Sequence, residues 1–402
     1  MHPRPASIPA RAPFLPLLLA ALGTVACGSV PDRNPPPADL AMECVIPGIP
    51  EARSWGDEKM PWFDETLDLG AAELRVRFPG VFGRPHNYLA ISGGGENGAF
   101  GAGILCGWTA RGDRPEFQMV TGISTGALSA PFAFLGPAYD ARLEEIYTTY
   151  HTKDLLEERS LLTAVTSDAF ADTAPLARMI AKYMTQEVLD AIAVESRKGR
   201  ALWIATTNLD ASRPVIWNIG KIATSGRPER LALFHKVLLA SASIPIAFPP
   251  VYFEVEARGK RYDELHVDGG ATTQVFLYPL GIDWSEVLTK LEVPGKPQVY
   301  VIRNAWIQPK WEAVNPGSLA AIAGRTTSSM IRTQGLGDMY RMYLGALRDG
   351  LDYHLAYMPR DFDHAMAEPF DPAYMKALFD RGYAMAKAGY PWDREPPGLT
   401  LR

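Results

Sequence analysis

Little in this chain serves to cross-link it, to hold metal or to attract nucleic acid. Its 402 residues contain three cysteines, Cys27, Cys44 and Cys106, too few for a disulfide-stapled scaffold. No Cys, His or carboxylate cluster has metal-ligand spacing and no acidic calcium loop is visible, so no cofactor is expected. The net charge of −5 comes without a basic stretch or an aromatic–basic alternation, which excludes a nucleic-acid partner. No apolar run reaches the roughly 18 residues of a membrane-spanning helix. No self-similarity appears at solenoid periods. What the chain does have is a composition that is 47% hydrophobic and 21% charged, that of a globular protein with a real core. It is long enough for one large domain or two ordinary ones.

The amino terminus is of another kind. Arg4 and Arg11 precede an apolar run from Phe14 to Leu22, and Thr24-Val25-Ala26 follows. A basic start, a short apolar stretch and small residues read as a secretory signal over residues 1–26. The alternative, a short buried helix, is opposed by Pro3, Pro5, Pro9, Pro13 and Pro16. Cys27 directly after Ala26 resembles a bacterial lipoprotein cleavage site, where that cysteine is lipidated, although Thr24 stands where leucine is usual. Plain cleavage after Ala26 is the simpler alternative. An acyl chain on Cys27 adds about 0.8 kcal/mol of membrane affinity per buried methylene. The expected location is outside the cytoplasm, on the periplasmic or outer-membrane face. Residues 27–43, with Pro31, Pro35, Pro36 and Pro37, read as an exposed tether. Residues 44–85 form an extension with Trp55 and Trp62 but no sustained period. In an oxidising compartment Cys44 and Cys106 have the chance to pair, although Cys106 lies in an apolar helical pattern that suits a core position.

From His86 the pattern becomes α/β. Asn87–Ile91, Phe117–Ile123, Ala201–Thr207, Val215–Ile219 and Gln298–Ile302 read as strands, and Ala99–Thr109, Ala127–Leu135 and Leu231–Ala240 as helices. Strands alternating with helices predict a three-layer fold around a mostly parallel central sheet over residues 86–310. Residues 311–402 read as a mainly helical region packed on it, with Tyr and Met stripes facing the core.

Three glycine-flanked motifs carry the chemistry. Gly122-Ile123-Ser124-Thr125-Gly126 is a G-x-S-x-G, weak alone but set between an apolar strand and an apolar helix, as a nucleophile elbow is. Side chains two residues to either side would crowd that turn, hence Gly122 and Gly126. A helix starting there points its amino end at developing negative charge. The plain alternative is a strand–helix turn capped by Ser124. Gly93-Gly94-Gly95-Glu96-Asn97-Gly98 fits G-x-G-x-x-G through Gly93, Gly95 and Gly98. A dinucleotide site wants an acidic residue about 20 positions on, at the end of the second strand, where this chain has the serine elbow instead. The glycines suit an oxyanion hole, in which one backbone donor is typically worth about 3 kcal/mol. Asp268-Gly269-Gly270 follows the strand end Leu265-His266-Val267. A carboxylate at such a turn can act as general base to Ser124, although Asp-Gly is also a common turn. His354 and His364 follow Asp268 in the chain, the order of an α/β-hydrolase triad, but neither sits in a catalytic-looking loop, and His266 falls on the same strand face as Asp268.

GGGENG, GISTG and DGG, in that order, resemble the patatin-like phospholipase family. Ala240-Ser241-Ala242-Ser243-Ile244-Pro245 with Phe248-Pro249-Pro250 is similar to that family's A-S-x-x-x-P…F-P-P segment, and the likeness covers residues 86 to about 305. More loosely, Thr206-Thr207-Asn208-Leu209-Asp210 and Gln334-Gly335-Leu336-Gly337-Asp338 are similar to bacterial members. The resemblance implies a Ser–Asp dyad without histidine, acting on acyl esters of phospholipids or related lipids at a membrane surface. It implies Ser124 as nucleophile, Asp268 as base, and Gly93, Gly94, Gly95 and Gly98 as the oxyanion loop, with Gly269 and Gly270 supporting the aspartate turn. Asn97 stands where the family often has Arg or Lys, so a phosphate-attracting charge is missing from that place. The competing expectations are a serine esterase of another fold acting on a soluble ester, and a non-catalytic lipoprotein that binds lipid in the pocket.

Overall fold

The structure, a computed structural model, describes residues 33–155, 157–158, 171–309 and 311–399. The signal, Cys27 and the first part of the tether lie outside them. Nine strands among the described residues form one sheet. They are β1 Arg53–Trp55, β2 Asn87–Ile91, β3 Met119–Ile123, β4 Ala201–Asn208, β5 Arg213–Asn218, β6 Val251–Ala257, β7 Lys260–Asp268, β8 Gln298–Arg303 and β9 Asp352–Tyr357. The order is β1-β5-β4-β3-β2-β8-β9, with β7 paired to the end of β4 and β6 paired to β7. The five strands from β9 to β4 run parallel, and the antiparallel pairs gather on the other side.

The sequence explains this division. β2, β3 and β8 are short, nearly continuous apolar runs and are covered on both faces, as parallel strands must be. β6 reads Val-Tyr-Phe-Glu-Val-Glu-Ala, and its burial alternates with it. Side chains alternate across the sheet, so two cores result. Leu89, Ile91, Val120, Leu202 and Ile204 point into one. Tyr88, Ala90, Met119, Trp203, Val299 and Val301 point into the other. The main helices are α1 Gly98–Arg111, α2 Thr125–Leu135, α3 Arg230–Ser241, α4 Leu319–Arg348 and α5 Pro372–Lys387. Helices α1, α2, α3 and α5 fill the first core and the second half of α4 fills the second, which makes the expected three layers. α1 and α5 touch backbone to backbone: a Cβ on Gly103 would stand 2.1 Å from Phe379 O, and one on Gly107 2.2 Å from Tyr383 O.

Two features were not visible in the sequence pattern. The carboxy-terminal region is mainly helical, as expected, and it also contributes β9, which joins the parallel sheet beside β8. Its six residues sit between two long helical patterns and lack a period of their own. The extension before residue 86 also has a place: β1 adds an antiparallel edge beside β5. There the buried Arg53 grips Glu264 of β7 with both terminal guanidinium nitrogens and donates to Cys44 O at 2.9 Å. Cys44 and Cys106 are separate, buried free thiols, so they do not pair. Burial pushes the Cys44 thiol up to about 11, far from reactive.

Candidate active site

The carboxyl ends of β2, β3 and β4 bring the three motifs together, as parallel α/β sheets do with their loops. Ile123 pairs with Ala205 and Thr206 pairs with Asp268, so Ser124 and Asp268 flank the end of β4. Ser124 stands between β3 and α2 at φ 54°, ψ −125°, an L-residue in a region that side chains rarely adopt. Neighbouring atoms hold it there. A Cβ on Gly122 would come 2.4 Å from Gly126 O, and one on Gly126 would come 2.3 Å from Ile91 O. Both glycines of the elbow are therefore required by contact.

The Ala240–Pro245 segment ties the serine to the aspartate. Ser124 N–H donates to Ser241 Oγ at 3.0 Å, and Ser241 donates onward to Ala205 O at 2.7 Å. Two residues later, Ser243 O accepts from Asp268 N–H at 2.9 Å. The sequence had marked this segment without showing its use as a bridge.

Asp268 is 3% exposed, and its Oδ1 accepts from Gly270 N–H at 2.7 Å. Oδ2 has no hydrogen-bond partner among the described residues. Burial pushes this carboxyl up to about 7, against smaller stabilisation of the charged form by the Ser124 hydroxyl and Gly270 N–H. The Ser124 hydroxyl thus favours the charged form of Asp268, and burial opposes it more strongly.

The glycine loop lies against the serine: a Cβ on Gly93 would be 3.3 Å from Ser124 Cβ. Its donors are already divided. Gly93 N–H goes to Gln274 O at 3.2 Å, and Gly98 N–H turns back to Gly95 O and Glu96 O. The N–H groups of Gly94 and Gly95 have no partner among the described residues. Gly94 is pressed onto Asn304, where a Cβ would meet the carbonyl at 2.3 Å, and Gly95 sits at φ 57° with open space before it. Asn97 Oδ1 accepts from Tyr374 of α5 at 2.6 Å, so this side chain anchors the loop.

Behind the loops lie braces whose part in the site the sequence did not show. Gln274 donates to Gly270 O at 2.6 Å and receives Gly93 N–H on its carbonyl, so one residue joins the aspartate turn to the glycine loop. Asp338 Oδ2 accepts Gln274 N–H at 2.7 Å. Asn304 donates to Ser92 O and accepts from Gly101 N–H. Asp338 closes the Gln334–Asp338 segment singled out in the sequence, whereas the one signal of Gln274 and Asn304 was polarity at the ends of apolar runs, which also marks ordinary turns.

No histidine among the described residues hydrogen-bonds Ser124 or Asp268. His266 is buried between Thr206 Oγ1 at 2.8 Å and Glu264 Oε2 at 3.1 Å. His354 stacks on Tyr300 and meets Gln298 Oε1 at 2.7 Å, and His364 stacks on Phe362. The cleft over Ser124 is apolar, lined by Leu128, Ile146, Leu176, Met179, Phe248 and Met375. Cys27 lies outside the described residues.

Residues 89–280 match the patatin-like phospholipase family. No curated protein matches the chain. Among solved structures, the crystal structure of VipD from Legionella pneumophila is similar, with a TM-score of 0.36 and 11% identity over 76% of this chain. The chain spans 66% of that chain's length.

Proposed function

With residues 89–280 forming a patatin-like phospholipase domain, we propose that this chain is a serine acyl-hydrolase that cleaves acyl esters of phospholipids or related lipids with a Ser124–Asp268 dyad. The observation that carries the reading is Ser124, strained at the head of α2, beside a fully buried carboxylate with an unpartnered oxygen.

Asp268 Oδ2 takes the Ser124 proton as Oγ attacks the ester carbonyl. The carbonyl oxygen becomes an oxyanion and meets the spare N–H groups of Gly94 and Gly95, with the amino end of α2 adding a favourable field. The tetrahedral intermediate collapses with cleavage of the bond to the alkoxy oxygen, and the leaving alkoxide takes from Asp268 the proton that came from Ser124. Water then gives a proton to Asp268 as its oxygen attacks the acyl-enzyme. Release of the acid returns that proton to Ser124. The apolar cleft receives the acyl chain, and Asn97 contributes no charge towards a headgroup.

Export with an acyl chain on Cys27 belongs to the same reading. Its support is the Arg4 and Arg11 start, the apolar run and Ala26 before Cys27. Among the described residues no helix is long and apolar enough to cross a membrane. Mass spectrometry of the native amino terminus is expected to show Cys27 first and acylated; a chain beginning at Met1 contradicts export. For the activity itself, the test is product analysis on mixed phospholipid vesicles. Free fatty acid is expected from the parent and none from Ser124→Ala, whereas equal release from both contradicts the assignment.

A further inference from the structure

The first half of α4 is left uncovered by the rest of the described residues. Met339, Met342, Tyr343 and Ala346 of its second half are buried in the core. By contrast Leu319 is 82% exposed, Met330 67%, and Ile322 and Ile331 40% each. Leu319, Ile322 and Met330 fall on one face at helical spacing. The chain leading into the helix runs beside it: Glu312 pairs with Arg325 at 3.4 Å, and Arg332 donates to Ile307 O at 3.5 Å. Trp311 in that lead-in is 88% exposed. Loop and helix make an arm whose helical part, from Leu319 to Gln334, reaches about 22 Å at the rise of an α-helix.

Charge and position both bear on what this arm meets. The chain carries −5 overall, yet no Asp or Glu occurs from Ala313 to Gly337, where Arg325 and Arg332 do. The root of the arm is Gln334, which accepts from Gln274 at 3.3 Å, and Gln274 is the residue that joins the Gly270 turn to the Gly93 loop. The arm therefore leaves the body at the edge of the Ser124 site. A second bare apolar pair lies at the cleft itself. Ile244 lines the cleft with Ser124 and is 38% exposed, and Ile246 is 70% exposed. Ile246 is also held at φ 76°, a costly conformation for a β-branched residue.

We infer that the arm of residues 311–333, together with Ile244 and Ile246, seats the cleft on a phospholipid bilayer with anionic headgroups. Leu319, Ile322 and Met330 enter the interface, and the helical part of the arm, which carries Arg325 and Arg332 and no acid of its own, suits the negative field there, the one acid of the lead-in, Glu312, being paired with Arg325. The inference rests on the lipid-hydrolase reading, because that substrate makes a bilayer the partner. A second copy of the chain, pairing arm to arm, is the competing occupant.

The test uses the full chain carrying Cys27→Ala, so that no acyl chain supplies the binding, and vesicles of phosphatidylcholine with phosphatidylglycerol. Ile322→Asp/Met330→Asp is expected to lower vesicle binding in a flotation assay roughly tenfold or more, as removal of interfacial apolar contacts should. Ile322→Gln/Met330→Gln keeps helix propensity and is expected to lower binding as well, which separates lost contact from a melted helix. Tm and hydrolysis of a short-chain soluble ester should stay at the parent's values. Full binding by both variants, no vesicle binding by the parent, or a parent dimer that the variants turn into monomer each overturns the inference and leaves soluble-ester hydrolysis untouched. A parent that hydrolyses no ester at all counts against the hydrolase reading instead, and flotation still decides the arm.

Discussion

At the residue scale, the proposed Ser124–Asp268 dyad depends on where each group is held. Asp268 must be ionised to take the Ser124 proton, and burial holds its carboxyl up at about 7. On a soluble ester, kcat/KM should therefore fall about tenfold per pH unit below 7 and level off above it. A profile flat down to pH 5 contradicts Asp268 as base. Stability should run the other way. The folded value near 7 lies above the ordinary 3.8, so protonation favours the native state, and this group's contribution is lost as pH rises from about 4 through 7. At pH 8 the ionised carboxylate costs on the order of 4 kcal/mol. Asp268→Asn should thus abolish turnover yet raise Tm at pH 8, with the gain closing toward pH 4; a Tm lowered equally at both pH values would contradict the buried-charge account. Gly126→Ala tests the elbow. Its Cβ would come 2.3 Å from Ile91 O, so the turn must open, and activity should drop by at least roughly a hundredfold, the scale expected for misplacement of the reacting atom by an ångström.

At the scale of elements, the strand that carries Asp268 depends on the amino-terminal extension. Arg53 of β1 and Glu264 of β7 form a buried pair, and Glu264 also receives His266. Arg53→Met leaves that carboxylate buried beside a histidine whose pKa burial lowers, and should cost about 3–5 kcal/mol in denaturant unfolding. Arg53→Met/Glu264→Gln should recover part of it. No loss in the single variant would show that the extension is a mere appendage. The parallel strands β2, β3, β4 and β8 were legible in the sequence because their apolar runs are nearly continuous. β9 was not, since six residues between long helical patterns carry no period. β1 was not, since three residues define no pattern, and its ladder with β5 and the ion pair of Arg53 with Glu264 join residues far apart in the chain.

At the scale of the whole molecule, motif order along the chain became proximity in space because β2, β3 and β4 are neighbours with their carboxyl ends on one side. Ser124, Asp268 and the glycines could be nominated from the sequence for that reason. Ser241 was marked only as part of its segment, and Gln274 and Asn304 not at all, because each acts through backbone groups that are remote in the chain. The exposed first half of α4 was equally illegible: the Met and Tyr stripes of that region suggested core along its whole length, and only the second half has a core to enter. The proposed dyad requires one reactive serine served by no imidazole. Intact-mass and peptide analysis after treatment with a fluorophosphonate tests this most directly, run on the parent, Ser124→Ala, Asp268→Asn, His354→Gln and His364→Ala. A single adduct on Ser124 is predicted for the parent, none for Ser124→Ala, strongly slowed labelling for Asp268→Asn, and parent-like rates for both folded histidine variants. An adduct on any other serine, or a histidine variant slowed as far as Asp268→Asn, contradicts the dyad.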